Sequence, residues 1–249
     1  MQLTTYLETV VEPFLQEKMQ GFSGYVLGLS GGIDSALVAA MTQKACGNDA
    51  LLALVLPIDS ASEDLQDANA MIEKFHLHAL TIDLSSSYHY LLTILEEKAI
   101  ESGKALDHLA RINLKVRLRM VTLYAFSQAH HSLVLGTDNA DEMYTGYFTK
   151  YGDGGVDLLP IVHLTKGEVF TAARLYGVPE AILNKKPSAG LFTGQTDESE
   201  MGVTYQELDA YLLGQKVPPH IQERIEHLHT ISAHKRDPLP RPRAFARNI

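Results

Sequence analysis

Six consecutive residues, Ser30-Gly31-Gly32-Ile33-Asp34-Ser35, combine glycine freedom, two hydroxyls and one carboxylate. The apolar run 25–29 before them predicts a short buried strand, and a helical pattern follows over 33–44. A strand turning through glycines onto a helix N-terminus aims several unpaired N–H groups at one spot, which the helix dipole makes attractive to phosphate. Gly31 and Gly32 let backbone approach the anion, while Ser30 and Ser35 offer hydroxyl donors. Asp34 would be repelled by phosphate unless a hard cation such as Mg2+ lay between them. The stretch is neither a Walker loop nor a dinucleotide G-x-G-x-x-G fingerprint. Taken alone, it is also a plain Gly-Gly turn whose Asp34 favours the helix start.

A second dense group lies at 137–157, where Asp138, Asp141, Glu142, Lys150, Asp153 and Asp157 alternate with glycines. Such a run is poorly suited to packing, and loops of this kind carry function. Thr137 or Asp138 is expected to cap the next helix. Glu142, a turn further on, could share a metal with Asp34, and Lys150 could neutralise phosphate; singly, each is also a solvated charge.

The elements that must position these residues alternate. Strands are predicted at 25–29, 50–56, 79–84 and 132–136, and helices at 3–20, 33–44, 62–75, 88–101 and 106–130. That order argues for a doubly wound parallel sheet flanked by helices, with ligands beyond the carboxyl ends of the strands. On the helix 106–130, Arg111, Lys115 and Arg119 form a polar arc of about 80°. Most of the remainder is apolar, so the helix is expected to face the sheet on one side and a second subunit on another. Arg117 falls inside the apolar arc. A buried guanidinium needs an acidic or phosphate partner, so Arg117 is either a ligand contact or half of an internal salt bridge.

Composition excludes several classes. A net charge of -9 argues against a large nucleic-acid surface. No apolar run approaches a membrane span and no export leader is read. The single cysteine, Cys46, cannot form an internal disulfide, which fits a cytoplasmic protein, and it reads as a core residue. His76 with His78 and His227 with His229 lack metal-site spacing and read as surface residues. Polar residues 192–201 suggest a lid over bound nucleotide. The whole chain 1–249 is expected to be one domain with a helical carboxyl-terminal extension and a Pro/Arg-rich tail from about 236.

Ser-Gly-Gly-x-Asp-Ser resembles the pyrophosphate loop of the N-type ATP pyrophosphatases, whose fold is adenine nucleotide alpha hydrolase-like. The strings Gly-Thr-Asp-x-Ala-x-Glu at 136–142, Thr-Gly-Tyr-Phe-Thr-Lys-Tyr-Gly-Asp-Gly-Gly at 145–155 and Asp-Leu-Leu-Pro at 157–160 are similar to those of NAD synthetases within that superfamily. Leu-Thr-Lys at 164–166, Lys-Pro-Ser-Ala-Gly-Leu at 186–191 and His-Lys-Arg at 234–236 continue the likeness. The resemblance implies ATP-dependent amidation of nicotinic acid adenine dinucleotide (deamido-NAD) through an acyl-adenylate, with release of AMP and pyrophosphate. It implies that Gly28, Leu29, Ser30, Gly31, Gly32, Ile33, Asp34, Ser35, Thr137, Lys166 and Ser188 hold ATP. Asp34 and Glu142 would bind Mg2+, and Arg117, Lys150, Asp157, His234 and Lys235 would contact deamido-NAD. Asp34, Glu142, Lys166 and Asp153 would be catalytic, Asp153 by orienting or deprotonating ammonium. Ile33 stands where the family often has Gln and should point into the core; Ser188 stands for Thr and keeps the hydroxyl. The family forms homodimers with deamido-NAD at the subunit interface. Without a fused amidase domain in the sequence, free ammonia is the expected donor. A GMP synthetase core, a tRNA-modifying enzyme and a non-catalytic nucleotide-binding module remain the alternatives.

Overall fold

The computed structural model describes residues 1–185, 197–243 and 245. Strands β1 (Gly24–Gly28), β2 (Leu51–Val55), β3 (His78–Thr81) and β4 (Ser132–Leu135) form one parallel sheet in the order β3-β2-β1-β4. Tyr25 stands opposite Leu51 on one side and Leu133 on the other. Both faces of β1 are covered: Tyr25 and Leu27 join the main core, while Val26 packs with Leu54 and Leu56 on the opposite face. That is why the strand is apolar throughout rather than alternating. The regular part of β3 ends earlier than its apolar run predicts. Pairing continues irregularly past Pro57, through Ile82 N–H to Val55 O and Leu84 N–H to Pro57 O.

The amino-terminal helical segment is interrupted: α1 (Leu3–Tyr6) and α2 (Glu12–Lys18) flank a π-helical stretch, Leu7–Val11. With α3 (Ile33–Cys46) and α4 (Ser62–Phe75) it covers one face of the sheet. Leu37, Val38 and Met41 of α3 are fully buried, each contributing about 1.5–3 kcal/mol of transfer free energy. The other face carries α6 (His108–Ala129), whose Leu123 and Phe126 pack over Val26 and Leu54, with α5 (Ser85–Glu101) beside it. Asp107 caps α6 by accepting from Ala110 N–H at 2.7 Å.

The chain after β4 is built differently. Short helices follow: α7 (Ala140–Thr145), α8 (Lys166–Leu175), α9 (Glu180–Leu183), α10 (Asp197–Met201), α11 (Tyr205–Leu212), α12 (Pro219–Ile231) and α13 (Ala233–Arg236). Val169, Ala172 and Ala173 bury α8 in the same core as α3, while Met201, Leu208, Ile221 and Ile225 form a second small core. Because β1 leads outward to β2 while β4 returns on its other side, the loops after β1 and β4 diverge at the point where ligands bind in such sheets.

Candidate active site

The loop after β1 is braced by its own serines. Ser35 Oγ accepts from Ser30 N–H at 3.2 Å and donates to Gly32 O at 3.0 Å. Ser30 Oγ accepts from Gly32 N–H at 3.2 Å. Ser35, expected to offer its hydroxyl outward, is buried and spends it within the turn. No side chain caps α3, so its first-turn N–H groups stay open to a ligand. Gly31 has φ +83°, and a Cβ there would lie 2.3 Å from Asp64 O, so only glycine fits. Ile33 enters the core, as read from the sequence.

Glu142 is delivered by helix capping. Asn139, rather than Thr137 or Asp138, is the N-cap of α7: its Oδ1 accepts from Glu142 N–H at 3.0 Å, and Glu142 Oε2 accepts from Asn139 N–H at 3.2 Å. The expected cap was misplaced because Asn139 competes for the same role one residue nearer the helix than Asp138 and two nearer than Thr137. Asn139 Nδ2 then donates to Asp34 Oδ1 at 2.9 Å, tying the two loops together. Lys166, the first residue of α8, reaches Asp34 Oδ2 at 2.6 Å and Glu142 Oε1 at 3.4 Å. Tyr205 places its ring under the same ammonium and donates to Asp197 Oδ2 at 2.9 Å. The two acids proposed to share a cation thus converge on one point.

This cluster holds more carboxylate than ammonium. Burial pushes the Glu142 carboxyl up, with Asp34 adding to the effect and Lys166 opposing it. Burial also raises Asp138 well above the ordinary range, with Asp153, Glu142 and Asp34 acting in the same direction. Lys166 ends above the ordinary lysine value because Asp34 and Glu142 outweigh the cost of its burial. A cation in addition to Lys166 would relieve the excess. Among the described residues no group of three or more His, Cys, Asp or Glu forms a complete metal cage. Two carboxylates supplemented by phosphate oxygens and water is the way Mg2+ is usually bound beside nucleotides.

A cavity of about 390 Å³ joins these parts. Gly28, Leu29, Ser30, Gly32, Ile33, Asp34, Ser35, Thr137, Glu142, Asp153 and Lys166 all line it. Ser188 and residues 192–196 of the expected lid lie outside the described residues; the remainder of that segment is α10, whose Asp197 also lines the cavity. Asp153 is held by Thr149 N–H at 2.6 Å, and burial raises its pKa.

The residues assigned to the second nucleotide gather elsewhere, with one exception. Lys150 Nζ donates to His234 O, Arg117 donates to Lys150 O at 3.2 Å, and Lys235 donates to Gly146 O at 2.6 Å. Lys150 and Lys235 line a neighbouring hollow with Phe148, Tyr151, Pro238 and Leu239. Asp157 stands apart, its carboxylate accepting from Val134 N–H at 2.8 Å and Tyr124 O–H at 3.1 Å.

The helical-wheel reading of α6 needs correcting. Arg117 is exposed, and the guanidinium turned inward is that of half-buried Arg119, whose Nε donates to Leu56 O at 2.9 Å just past the end of β2. The polar arc is not a solvated face: Lys115 lies 3.4 Å from Asp59, and Arg119 enters the cavity wall. A wheel shows which residues share a face but not which face meets the sheet's edge. His229 is likewise half-buried rather than on the surface, stacked on Tyr144 with centroids 4.1 Å apart. Arg119, Asn139, Asp197 and Tyr205 were missed as site residues.

The profile of the NAD synthase family matches residues 4–239. The chain is 46% identical over 250 residues to the NH(3)-dependent NAD(+) synthetase of Mesoplasma florum, covering 99% of this chain and 100% of that one. It superposes on the structure of NMN synthetase from Francisella tularensis with a TM-score of 0.90 and 41% identity, over 97% of this chain and 99% of the other. NAD+ synthetase from Burkholderia pseudomallei superposes with a TM-score of 0.77 and 31% identity, over 95% and 90%.

Proposed function

The chain belongs to the NAD synthase family, and on that basis we propose that it uses ATP and ammonia to convert deamido-NAD to NAD, releasing AMP and pyrophosphate. This family membership decides against a GMP synthetase core or a tRNA-modifying enzyme. The structural observation that carries the reading is the convergence of Asp34 and Glu142 on Lys166 beside the open turn after β1.

A carboxylate accepts ammonia poorly until its oxygen becomes a leaving group. In the first step a nicotinate oxygen bonds to the α-phosphorus while the bond from that phosphorus to the diphosphate breaks. In the second, ammonia adds to the acyl carbon and AMP departs with the oxygen. Both steps concentrate negative charge on phosphate oxygens, which fixed N–H groups and ammonium ions stabilise without reorganising. The turn 30–35 supplies the first and Lys166 the second. Asp34 and Glu142 would hold Mg2+, which when bound draws charge from the phosphoryl oxygens. Asp153 would take the proton that ammonium must lose before its nitrogen can attack. Desolvation in the cavity wall raises the pKa of its carboxyl, which is therefore a better base than an ordinary aspartate. Arg117, Lys150, His234 and Lys235 would receive deamido-NAD; Asp157 would act there by holding the end of β4.

We read the protein as one domain, since residues of α3 and α8 share one core. We further infer a cytoplasmic homodimer. Exposed Leu109 and Val121 on α6, with Tyr90, Ile94 and Ile100 on α5, support a subunit contact there, and the lone cysteine suits a reducing compartment. No described helix is long and apolar enough to cross a membrane.

Incubation with ATP, Mg2+, deamido-NAD and an ammonium salt should yield NAD and AMP in equal amounts; AMP without NAD, or neither product, would refute the reading. One observation favours a second acyl substrate, because the Francisella tularensis neighbour is described as an NMN synthetase. Nicotinic acid mononucleotide presents the same carboxylate, so the ratio of kcat/KM for the two acids decides which is preferred.

A further inference from the structure

A second lysine borders the glycine turn. Lys185, just after α9, lines the same cavity as Ser30, Gly32 and Asp64. Its Nζ lies 2.5 Å from Asp64 Oδ1 and 2.8 Å from Asp67 Oδ2. Asp64 packs directly on the turn, since its carbonyl oxygen is what a side chain at Gly31 would strike. The first turns of α4 therefore bring two carboxylates to the rim of a site built for anions, and Lys185 is what neutralises them. An ammonium has three N–H donors. Two are engaged by Asp64 and Asp67, and the third remains for a ligand. Burial works against the charge, but the two hydrogen-bonded carboxylates hold the lysine above its ordinary value, so it is an ammonium at neutral pH.

We propose that Lys185 is a ligand of the diphosphate end of ATP, with Asp64 and Asp67 as the clamp that aims its ammonium at the turn. This deepens the amidation reading and rests on it: the group held is the one that leaves. As the bond between the α-phosphorus and the bridging oxygen breaks, the electron pair goes to that oxygen. A fixed ammonium beside the β- and γ-phosphates stabilises the resulting charge with no proton transferred. Lys166 is already shared by Asp34 and Glu142, so the two lysines divide the polyphosphate between them.

The test uses the full chain with ATP as the varied substrate. Lys185→Met should raise both the KM for ATP and the inhibition constant of pyrophosphate by about tenfold, the value of one charge-assisted hydrogen bond. The KM values for ammonia and deamido-NAD should not move. Lys185→Arg should recover most of the loss, and Lys185→Gln gives the same readout as Met if the latter folds poorly. Asp67→Asn, which loosens the clamp but keeps the ammonium and its bond to Asp64, should raise the KM for ATP by clearly less than Lys185→Met does. Unchanged ATP and pyrophosphate constants in Lys185→Met would overturn the proposal. So would changes of equal size in Lys185→Met and Asp67→Asn, since a mere tether between α4 and α9 would make the two variants alike. Calorimetric titration with magnesium pyrophosphate measures the same contact without turnover. If wild-type chain forms no NAD, the amidation reading fails; if it forms NAD but Lys185→Met binds pyrophosphate as tightly as wild type, only this inference fails.

Discussion

Lys166 and Lys185 are each pinned between two carboxylates, and both line the cavity beside the same turn, yet their surroundings differ. Lys166 is 3% exposed and backed by further buried acids, Asp138 and Asp197, whereas Lys185 is 30% exposed. The same ion-pair arrangement therefore does two jobs. In the dry position it holds together charges that could not otherwise be buried. In the wetter position the pairing costs little and adds little, leaving the ammonium available to a ligand.

The largest effects are expected at the dry position. Lys166→Met strands Asp34 and Glu142 against each other. It should end turnover and cost about 3–5 kcal/mol in urea denaturation, as removal of one partner from a buried pair does. If the loss is under about 1 kcal/mol, the scale of an exposed pair, the contrast between the two lysines is wrong. Asp34→Asn should lower NAD formation by about 10²–10³-fold, the scale of a lost charge-stabilising group. Its circular dichroism should stay unchanged, since the amide can keep the bond to Asn139 by rotating. Retained turnover would remove the metal role from Asp34.

A pH signature sharpens the contrast further. With a chelator present, the Glu142 carboxyl is pushed up to about 8 by burial, against 4.5 in the unfolded chain. Between those values the native state holds a proton that the unfolded chain has released, so this group makes stability fall as pH rises. Wild-type denaturation midpoints should therefore decline from pH 5 to 8 without metal, and Mg2+ should flatten the decline by favouring the carboxylate. Lys185, whose ammonium is held above the ordinary lysine value, should add no slope in that range. A metal-free profile flat across that range would show that Glu142 is fully ionised beside Lys166.

How legible each position was follows from how local its causes are. The turn 30–35 was readable because its glycines, serines and helix start act within six residues, and the structure places the glycine turn and the helix start as the spacing implied, while Ser35 turns its hydroxyl inward. The parallel sheet and the two-faced burial of β1 followed from apolar runs and alternation of elements. The position of Lys166 against Asp34 was visible only through resemblance, since 132 residues separate them and no periodicity links them. Arg119 was misjudged for a related reason: the wheel ranked α6 by apolarity, but the sheet's carboxyl edge is itself polar and claims the basic arc. Lys185 carried no spacing signal toward Asp64, because the contact joins α4 to a residue beyond α9.

A smaller effect is expected at the turn that both lysines flank. Gly31→Ala puts a Cβ against Asp64 O and an L-residue at positive φ. The conformational part alone costs about 1–2 kcal/mol, and moving α4 to relieve the clash would also shift Asp64 and its lysine. Stability should drop by at least that amount, with the KM for ATP rising more than that for deamido-NAD. Equal changes in both constants would mean that the turn serves the whole cavity rather than the phosphates.

The smallest effect completes the comparison. Asp64 and Asp67 are only partly exposed, but Lys185→Met removes an ammonium that is itself 30% exposed, so water can reach both carboxylates where it stood. The stability cost without nucleotide should be under about 1 kcal/mol, the range for exposed pairs. Ligand linkage should expose the difference that the apo measurement hides. A nucleotide that binds only the native state raises its stability by an amount set by the ratio of concentration to Kd. At one fixed concentration of Mg-ATP, the rise in Tm should be smallest for Lys185→Met and intermediate between that and wild type for Asp67→Asn. If Lys185→Met loses several kcal/mol without nucleotide, the wetter lysine is as structural as the dry one, and the two positions differ in exposure but not in role.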